Sequence, residues 1–322
     1  MNGESTSNEF LPESSYSSAE LIDRFKADCE MKGLSEETSR RYLSSINILV
    51  QYLEDRGMTL LGLDKDVLRG FLEYLRKERE VSYNTLKNYF SALSNLYDFL
   101  EYEGVIEDNP VPSIRSRYVR RFKDNDDDQA RKLISVEEMA KLINSILDAR
   151  DKAILTLLAK TGIRRNELIK LDVNSVDLIG QSVKLKPTPK RKNRVVFFDD
   201  ETALILHRWL RARETRNPKG CEALFINSQG DRLSRNGVYL AVTEPAKRLG
   251  LHNPDSDSLE DHFSPHCCRH WFTTHLRRAG MPREFIQELR GDVRKEAVDI
   301  YDHIDKKELR ESYLAHIPQL GI

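Results

Sequence analysis

The strongest constraint on the fold is an abrupt change of sequence pattern near residue 110 of this 322-residue chain. Before that point, four segments carry apolar residues at helical spacing, and each segment ends at a glycine or a polar break. Ser35 stands where a residue that caps a helix N-terminus belongs, and the fourth helix is expected to start at Ser82. The pattern stops at Asn109-Pro110, because proline disfavours continuation of a helix. The first part of the chain is therefore predicted to form a four-helix domain.

The change of pattern also divides the chain into segments. Residues 1–16 are polar and predict a disordered tail, and residues 17–110 hold the helical domain. Residues 111–133 combine prolines, a basic run and an acidic run, which favours a linker. Residues 134–322 mix helical segments with one predicted β-hairpin between residues 182 and 198. The predicted class is mainly α with a small β-sheet, an α+β domain following the helical one.

Charge and cysteine content limit the possible partners and the cellular compartment of the protein. A net charge of −1 gives no overall attraction to a polyanion, but RSRYVRRFK and KLKPTPKRKNRVVFF contain several cations and no acid. Such runs either contact nucleic acid or form a solvated face. No apolar run approaches the roughly 18 residues needed to span a membrane, and the N-terminus lacks the features of a signal peptide. Four cysteines, two of them adjacent, make a poor disulfide framework and favour the reducing cytoplasm.

Three motifs carry chemically useful side chains. TGIRRNELIKL places Arg164 at a helix start after a glycine turn. SPHCCRH places His266 and Arg269 on one face of a helix. GDVRKEAVDIYDHI contains Tyr301. Each motif alone has an ordinary structural explanation, such as a buried Arg–Glu pair. Two arginines, a histidine and a tyrosine, together with a hairpin lysine, are the groups that a tyrosine attack on a phosphodiester requires.

These motifs, in this order, resemble those of the tyrosine recombinase (phage integrase) family. The family has a G-[LIM]-R-x-x-E-L box, an H-x-x-R-H box, and an L-x-G-H box that is matched here by residues 289–292. The N-terminal helices also resemble the SAM-like core-binding domain of the family, so the resemblance covers nearly the whole chain. It implies a core-binding domain followed by an α+β catalytic domain. It also implies a site-specific recombinase that cuts and rejoins duplex DNA through a 3′-phosphotyrosyl intermediate.

The resemblance implies a role for each motif residue. Tyr301 would be the nucleophile, whose phenol has a free pKa near 10 and needs help to lose its proton. Arg164 and Arg269 would hold the non-bridging phosphate oxygens and stabilise the pentavalent transition state. His266 would orient the phosphate or accept the tyrosine proton. Two guanidinium groups would stand where nucleases use metal ions, so no metal and no cofactor is expected.

Two positions depart from the family pattern. The hairpin offers Lys190, Lys192 and Lys186 as the general acid, and counting back from the end of the hairpin favours Lys190. Asp292 stands where the family usually has histidine or tryptophan, and its charge would repel the scissile phosphate unless it were paired. We expect Asp292 to turn towards a cationic neighbour, either Arg269 or His266. The alternative is a chain that binds DNA without cutting it.

The cysteines and the remaining histidines of this region have simpler interpretations. Cys267 and Cys268 are adjacent and lack the spacing that lets two thiolates reach one zinc ion, so they are expected to pack against the domain. His262, His270 and His275 are expected to be packing or surface residues.

Further polar residues are candidates for DNA contacts, since polar helix starts and basic runs often meet phosphates. Solvated first turns remain an equal alternative for the helix starts. The candidates are Thr38, Arg40 and Arg41; Asn84, Thr85 and Lys87; Arg117, Arg120 and Arg121; and Lys186 and Lys192.

The resemblance also implies partners. These are duplex DNA and a homo-tetramer on two duplexes, with a monomer or dimer in solution. The segment 306–316 carries an apolar stripe, and little of the chain remains after it to cover the stripe, so it is expected to dock on a neighbouring protomer. A type IB-like topoisomerase and a non-catalytic DNA-binding regulator remain alternatives. Integration of a mobile element and resolution of chromosome dimers both remain open.

Overall fold

The computed structural model describes residues 16–119, 132–187, 194–256, 258–292 and 304–322. They form two compact units, which lie within Met1–Asp126 and Asp127–Ile322. The predicted class, mainly α with a small β-sheet, is confirmed. Over these same ranges, no helix is both long enough and apolar enough to cross a membrane.

Over residues 16–119, the regular secondary structure of the first unit is helical. Its helices are α1 (Ser18–Met31), α2 (Glu36–Glu54), α3 (Lys65–Lys77), α4 (Tyr83–Tyr102) and α5 (Val111–Tyr118). The side chains of Ser35 and Ser82 accept hydrogen bonds from the backbone N–H groups of Thr38 and Thr85. These bonds satisfy donors that the first turn of a helix leaves unpaired. The predicted cap at Ser35 and the predicted helix start at Ser82 are therefore confirmed. The apolar faces of the helices pack into one core, which supplies most of the stability of such helices.

A further helix, α5, occupies the first residues of the segment predicted to be a linker. The side chains of its Val111 and Ile114 are buried in the core of the first unit. Oδ1 of Asn109 accepts a hydrogen bond from the backbone N–H of Val111 at 2.9 Å, so the Asn-Pro break also starts a helix. Helix α5 has only about two turns, which is too short for its apolar residues to show a helical period in the sequence. The prolines at its start are typical of loops as well as of the first turn of a helix.

The second unit surrounds a buried helix. Its elements are α6 (Val136–Asn144), α7 (Ala149–Thr161), α8 (Arg165–Ile169), β1 (Val176–Asp177), β2 (Ser182–Leu185), β3 (Arg194–Phe197), α9 (Asp200–Thr215), α10 (Arg235–Arg248), α11 (Pro265–Arg278), α12 (Arg283–Arg290) and α13 (Lys306–His316). Residues 153–161 of α7 are all buried, and α9, α10 and α11 pack around them. The strands form an antiparallel sheet in the order β1-β2-β3, with Ser182 opposite Phe197. The predicted hairpin is therefore confirmed, whereas β1 is too short to have shown an alternating pattern.

The C-terminal helix α13 packs against its own unit, contrary to the expectation that its apolar stripe lacked a cover. Leu309, Tyr313 and Ile317 are buried against side chains of β3, α11 and α12. The hydroxyl of Tyr313 donates a hydrogen bond to the backbone oxygen of Lys160 at 2.9 Å. The stripe itself was visible in the sequence, but the elements that cover it come from distant parts of the chain. In this structure α13 therefore completes a core of its own unit.

A buried lysine joins α7 to the C-terminal residues. The ammonium group of Lys160 is fully buried and donates to Asp199 Oδ2 at 2.5 Å, to Glu201 Oε2 at 2.6 Å and to the backbone oxygen of Pro318 at 2.7 Å. Glu201 in turn accepts the backbone N–H of Leu320 at 2.9 Å. The burial of this charge is compensated by two carboxylates and a carbonyl, which fixes the C-terminal segment to α7 and α9.

Candidate active site

A glycine turn between α7 and α8 positions the first arginine of the site. Gly162 ends α7 with φ of 60°, and a Cβ atom on it would lie 2.8 Å from Cγ of Phe272 on α11. Glycine is therefore required both for the left-handed backbone and for the close approach of α11. Arg164 follows as the residue that caps α8, and its backbone N–H donates to Glu167 Oε2 at 2.7 Å.

The second arginine lies on α11, one turn after His266. Arg269 is only 4% exposed. Its Nη1 donates to the backbone oxygen of Gly162 at 2.7 Å, and its Nη2 donates to the backbone oxygen of Arg290 at 3.0 Å. Arg164 Nη1 donates to the same Arg290 oxygen at 3.1 Å. The last residue of α12 therefore brings the two predicted arginines together, although they lie more than a hundred positions apart in the chain.

Asp292 joins both arginines. Its Oδ1 accepts from Arg164 Nη2 at 3.2 Å and from Arg269 Nη2 at 3.1 Å. Arg290 Nε lies 3.0 Å from Oδ2 without the alignment of a hydrogen bond. Burial and the charges of Arg164 and Arg290 lower the pKa of Arg269, while Asp292 raises it. Arg269 was one of the two partners expected for this carboxylate, and Arg164 is a further partner that the sequence did not suggest.

A second buried ion pair supports the turn that carries Arg164. Arg194 at the start of β3 donates to Glu167 from Nη1 at 2.9 Å and from Nη2 at 3.0 Å, and its Nε donates to the backbone oxygen of Leu289 at 3.2 Å. Burial raises the pKa of Glu167, but the hydrogen bonds and charges of Arg194 and Arg164 outweigh it and leave the pKa below its ordinary value. In the sequence interpretation, Arg194 served only as the reference position from which Lys190 was chosen. Its pairing with the box glutamate was missed because 27 positions separate the two residues.

His266 faces an open cavity of about 360 Å³ beside the two arginines. The cavity is also lined by Arg165, Asn166, Arg235 and Tyr239. Burial, together with the charge of Arg235, lowers the pKa of Arg165, which reflects how closely the cationic side chains gather here. The sequence interpretation missed these residues. Two features of the sequence could have indicated them, namely the adjacent arginines of TGIRRNE and the polar residues at the start of α10.

Two predicted catalytic residues fall outside the described residues, namely Lys190 and Tyr301. Lys192 does too, whereas Lys186 is described and donates to Asp172 Oδ2 at 2.5 Å. The structure therefore brings together Arg164, His266, Arg269 and Asp292. The roles of the hairpin lysines and of the tyrosine remain predictions.

The cysteines of SPHCCRH pack as predicted. Cys267 and Cys268 are buried and free, and burial raises the pKa of the Cys268 thiol well above its ordinary value. Within the described ranges, no group of three histidine, cysteine or acidic residues is arranged to hold a metal ion. His275 is buried, its ring 4.7 Å from that of Trp271, and His262 lies 2.7 Å from the backbone oxygen of Ser256. His270 is exposed.

The candidates for DNA contacts lie mainly on the surface of the first unit. The exposed ones are Arg40, Arg41, Asn84, Thr85, Lys87 and Arg117, and Thr38 is half-buried. Arg40 donates to Glu36 at 2.9 Å, an exposed pair that is worth little and can open for another anion. Arg120 and Arg121 lie outside the described residues.

Comparisons with known proteins point to one family. The model of the phage integrase family matches residues 126–308, and that of the phage integrase N-terminal SAM-like domain matches residues 21–106. The chain is 30% identical over 281 residues to tyrosine recombinase XerC of Herpetosiphon aurantiacus, covering 85% of this chain and 86% of the relative. It is also 30% identical over 303 residues to tyrosine recombinase XerC of Oceanobacillus iheyensis, with coverages of 89% and 92%.

Solved structures show the same fold. The chain matches the integrase of transposon Tn1549 in complex with transposon right end DNA with a TM-score of 0.67 at 18% identity, covering 90% of this chain and 97% of the other. It matches a lambda integrase tetramer bound to a Holliday junction with a TM-score of 0.67 at 16% identity, with coverages of 91% and 80%. At these identities the likeness establishes the fold.

Proposed function

This chain belongs to the phage integrase family, and from that premise we propose that it is a tyrosine-type site-specific recombinase that cuts and rejoins duplex DNA. The observation that carries this proposal is the convergence of Arg164 and Arg269 on one carboxylate oxygen. Two guanidinium groups that share one oxyanion are arranged as a phosphodiester site requires.

The proposed reaction assigns one role to each motif residue. The phenolic oxygen of Tyr301 forms a bond to phosphorus, and the bond from phosphorus to the 5′ oxygen breaks. Lys190 donates a proton to the leaving 5′ oxygen, and His266 orients the phosphate or accepts the phenol proton. Arg164 and Arg269 hold the non-bridging oxygens throughout. Attack by a 5′-hydroxyl of the partner strand then reverses these steps and releases the tyrosine.

The partners are proposed from the relatives. Solved neighbours of this fold are bound to DNA, one as a dimer on a core site and one as a tetramer on a Holliday junction. We therefore propose duplex DNA as the substrate and a homo-tetramer as the active assembly, acting in the cytoplasm. The exposed cations of the first unit, together with Lys186 and Lys192, would hold the DNA backbone and fix its register.

Trapping of the covalent intermediate tests the proposal. A duplex selected from a random pool by binding to Tyr301→Phe protein is nicked near the cleavage point, so that the cut strand diffuses away and the protein–DNA adduct accumulates. The unmodified protein is expected to form a denaturant-resistant adduct, and Tyr301→Phe is expected to form none. Tyr102→Phe is the matched control, because Tyr102 is 85% exposed at the end of α4.

The outcomes separate the candidate functions. An adduct that persists in Tyr301→Phe would remove Tyr301 as the nucleophile. Specific binding with no adduct in any variant would indicate a DNA-binding regulator. An adduct with relaxation of supercoiled DNA, but without exchange between two sites, would indicate a topoisomerase. Exchange between two copies of the selected site supports the recombinase.

A further inference from the structure

The carboxylate of Asp292 occupies a place that suits a substrate phosphate. Its Oδ1 is shared by Nη2 of Arg164 and Nη2 of Arg269, at 3.2 and 3.1 Å. An oxyanion that is held by both arginines at once can accept from these same atoms. A carboxylate and a phosphodiester each carry one negative charge, and both are bound well by guanidinium groups.

The arginines have anchors that do not depend on Asp292. Both donate to the backbone oxygen of Arg290, and Arg269 also donates to the backbone oxygen of Gly162. Arg269 is almost fully buried, so these bonds hold its guanidinium in place when the carboxylate leaves. Asp292 is less enclosed than Arg269, because its side chain is 29% exposed and it lies after the end of α12.

Positive charges are in excess around the carboxylate of Asp292. Arg164, Arg269 and Arg290 all lie within 3.2 Å of its two oxygens. The next carboxylate, Glu167, lies 3.7 Å from Arg164 and already pairs with Arg194, so the cations still outnumber the anions. An empty site would leave these cations to repel one another in a partly buried place, which costs free energy. An anion in this place therefore lowers the repulsion between the cations.

We infer that Asp292 is an internal ligand of the phosphate-binding arginines, which fills the site in the DNA-free protein and is displaced by the scissile phosphate. The inference rests on the proposed function and deepens it, since it assigns a specific role to the residue that replaces the usual histidine or tryptophan. Displacement makes binding of the phosphate weaker by the cost of releasing the carboxylate. It also makes cleavage depend on substrate contacts elsewhere that compensate for this cost.

Binding of inorganic phosphate by the full chain tests the inference without any DNA reaction. Asp292→Asn keeps the shape of the side chain and removes its charge. Loss of a competitor that makes two charge-assisted hydrogen bonds is expected to tighten phosphate binding about tenfold or more. The dissociation constant is measured by calorimetry, and the rise of the melting temperature with phosphate is compared with that in chloride at equal ionic strength. Asp231→Asn is the control, since Asp231 pairs with Lys219 on the surface.

The sign of the change decides the inference. Tighter binding in Asp292→Asn, with Asp231→Asn unchanged, supports displacement. Equal or weaker binding would overturn it, because a carboxylate that only positions the arginines would help phosphate to bind. Asp292→Ser repeats the test with another neutral side chain. If neither variant folds, the NMR signals of the Arg164 and Arg269 side chains are followed in the unmodified protein, and signals that do not move when phosphate binds would also overturn it. A failure of Tyr301 as nucleophile would leave this test unaffected, which separates the two proposals.

Discussion

Glu167→Gln removes the charge that compensates a buried arginine at the centre of the second unit. Glu167 and Arg194 have side chains only 10% and 7% exposed, and two hydrogen bonds of 2.9 and 3.0 Å join them. Removal of one partner of a buried ion pair costs about 3–5 kcal/mol, because the other charge stays buried without compensation. Glutamine keeps an oxygen that accepts one of the bonds, so we expect a loss of about 3 kcal/mol in the free energy of unfolding.

Urea unfolding followed by tryptophan fluorescence measures this loss. The chain has two tryptophans, Trp209 and Trp271, and both are buried in the second unit, so the signal reports on that unit. Glu138→Gln is a matched control. Glu138 also accepts the backbone N–H of a helix-capping residue, at 2.8 Å, but it is exposed. Its replacement should cost less than about 1 kcal/mol. Equal losses in the two variants would refute the reasoning.

The pH dependence provides a second check on the same pair. The pKa of Glu167 in the folded protein lies below its ordinary value of 4.5. The stability from this pair is therefore fully present above that value and is lost as the pH falls through the folded pKa. The difference between the unmodified protein and Glu167→Gln should shrink in acid below pH 4.5. A difference that stays constant as the pH falls would mean that the carboxylate charge contributes nothing.

Two further substitutions test other close contacts of the second unit by the same unfolding measurement. Gly291→Ala is expected to cost about 2 kcal/mol or more, because the backbone is left-handed with φ of 61° and the new Cβ would lie 2.8 Å from Cζ of Arg194. Gly250→Ala has φ of 69° and nothing within 4 Å, so it should show only the backbone cost of about 1 kcal/mol, and equal losses would argue against the contact with Arg194. Lys160→Met is expected to cost about 3–5 kcal/mol, because it leaves the buried carboxylate of Asp199 and the half-buried carboxylate of Glu201 without their cation. A loss below about 1 kcal/mol would mean that these carboxylates are solvated or protonated at neutral pH.

Features that depend on neighbours in the chain were predicted well from the sequence. The cap at Ser35 and the helix start at Ser82 depend on hydrogen bonds to residues three positions away, so their residue types identify them. The β2–β3 hairpin and the helical spacing of His266 and Arg269 are local in the same sense. The family could also be predicted from the sequence, because it is identified by the order of the three sequence motifs along the chain.

Contacts between distant residues required the tertiary structure. Helix α5 was taken for linker, and the stripe on α13 was assigned to another protomer, because the residues that bury them come from elements far away in sequence. The shared hydrogen bonds of Asp292 join residues 23 and 128 positions apart. The sequence by itself determined which side chains were available for phosphate chemistry. Only the packing of α7, α11 and α12 decided that Asp292 lies between the two arginines, because the direction of a side chain depends on the elements that its own element packs against.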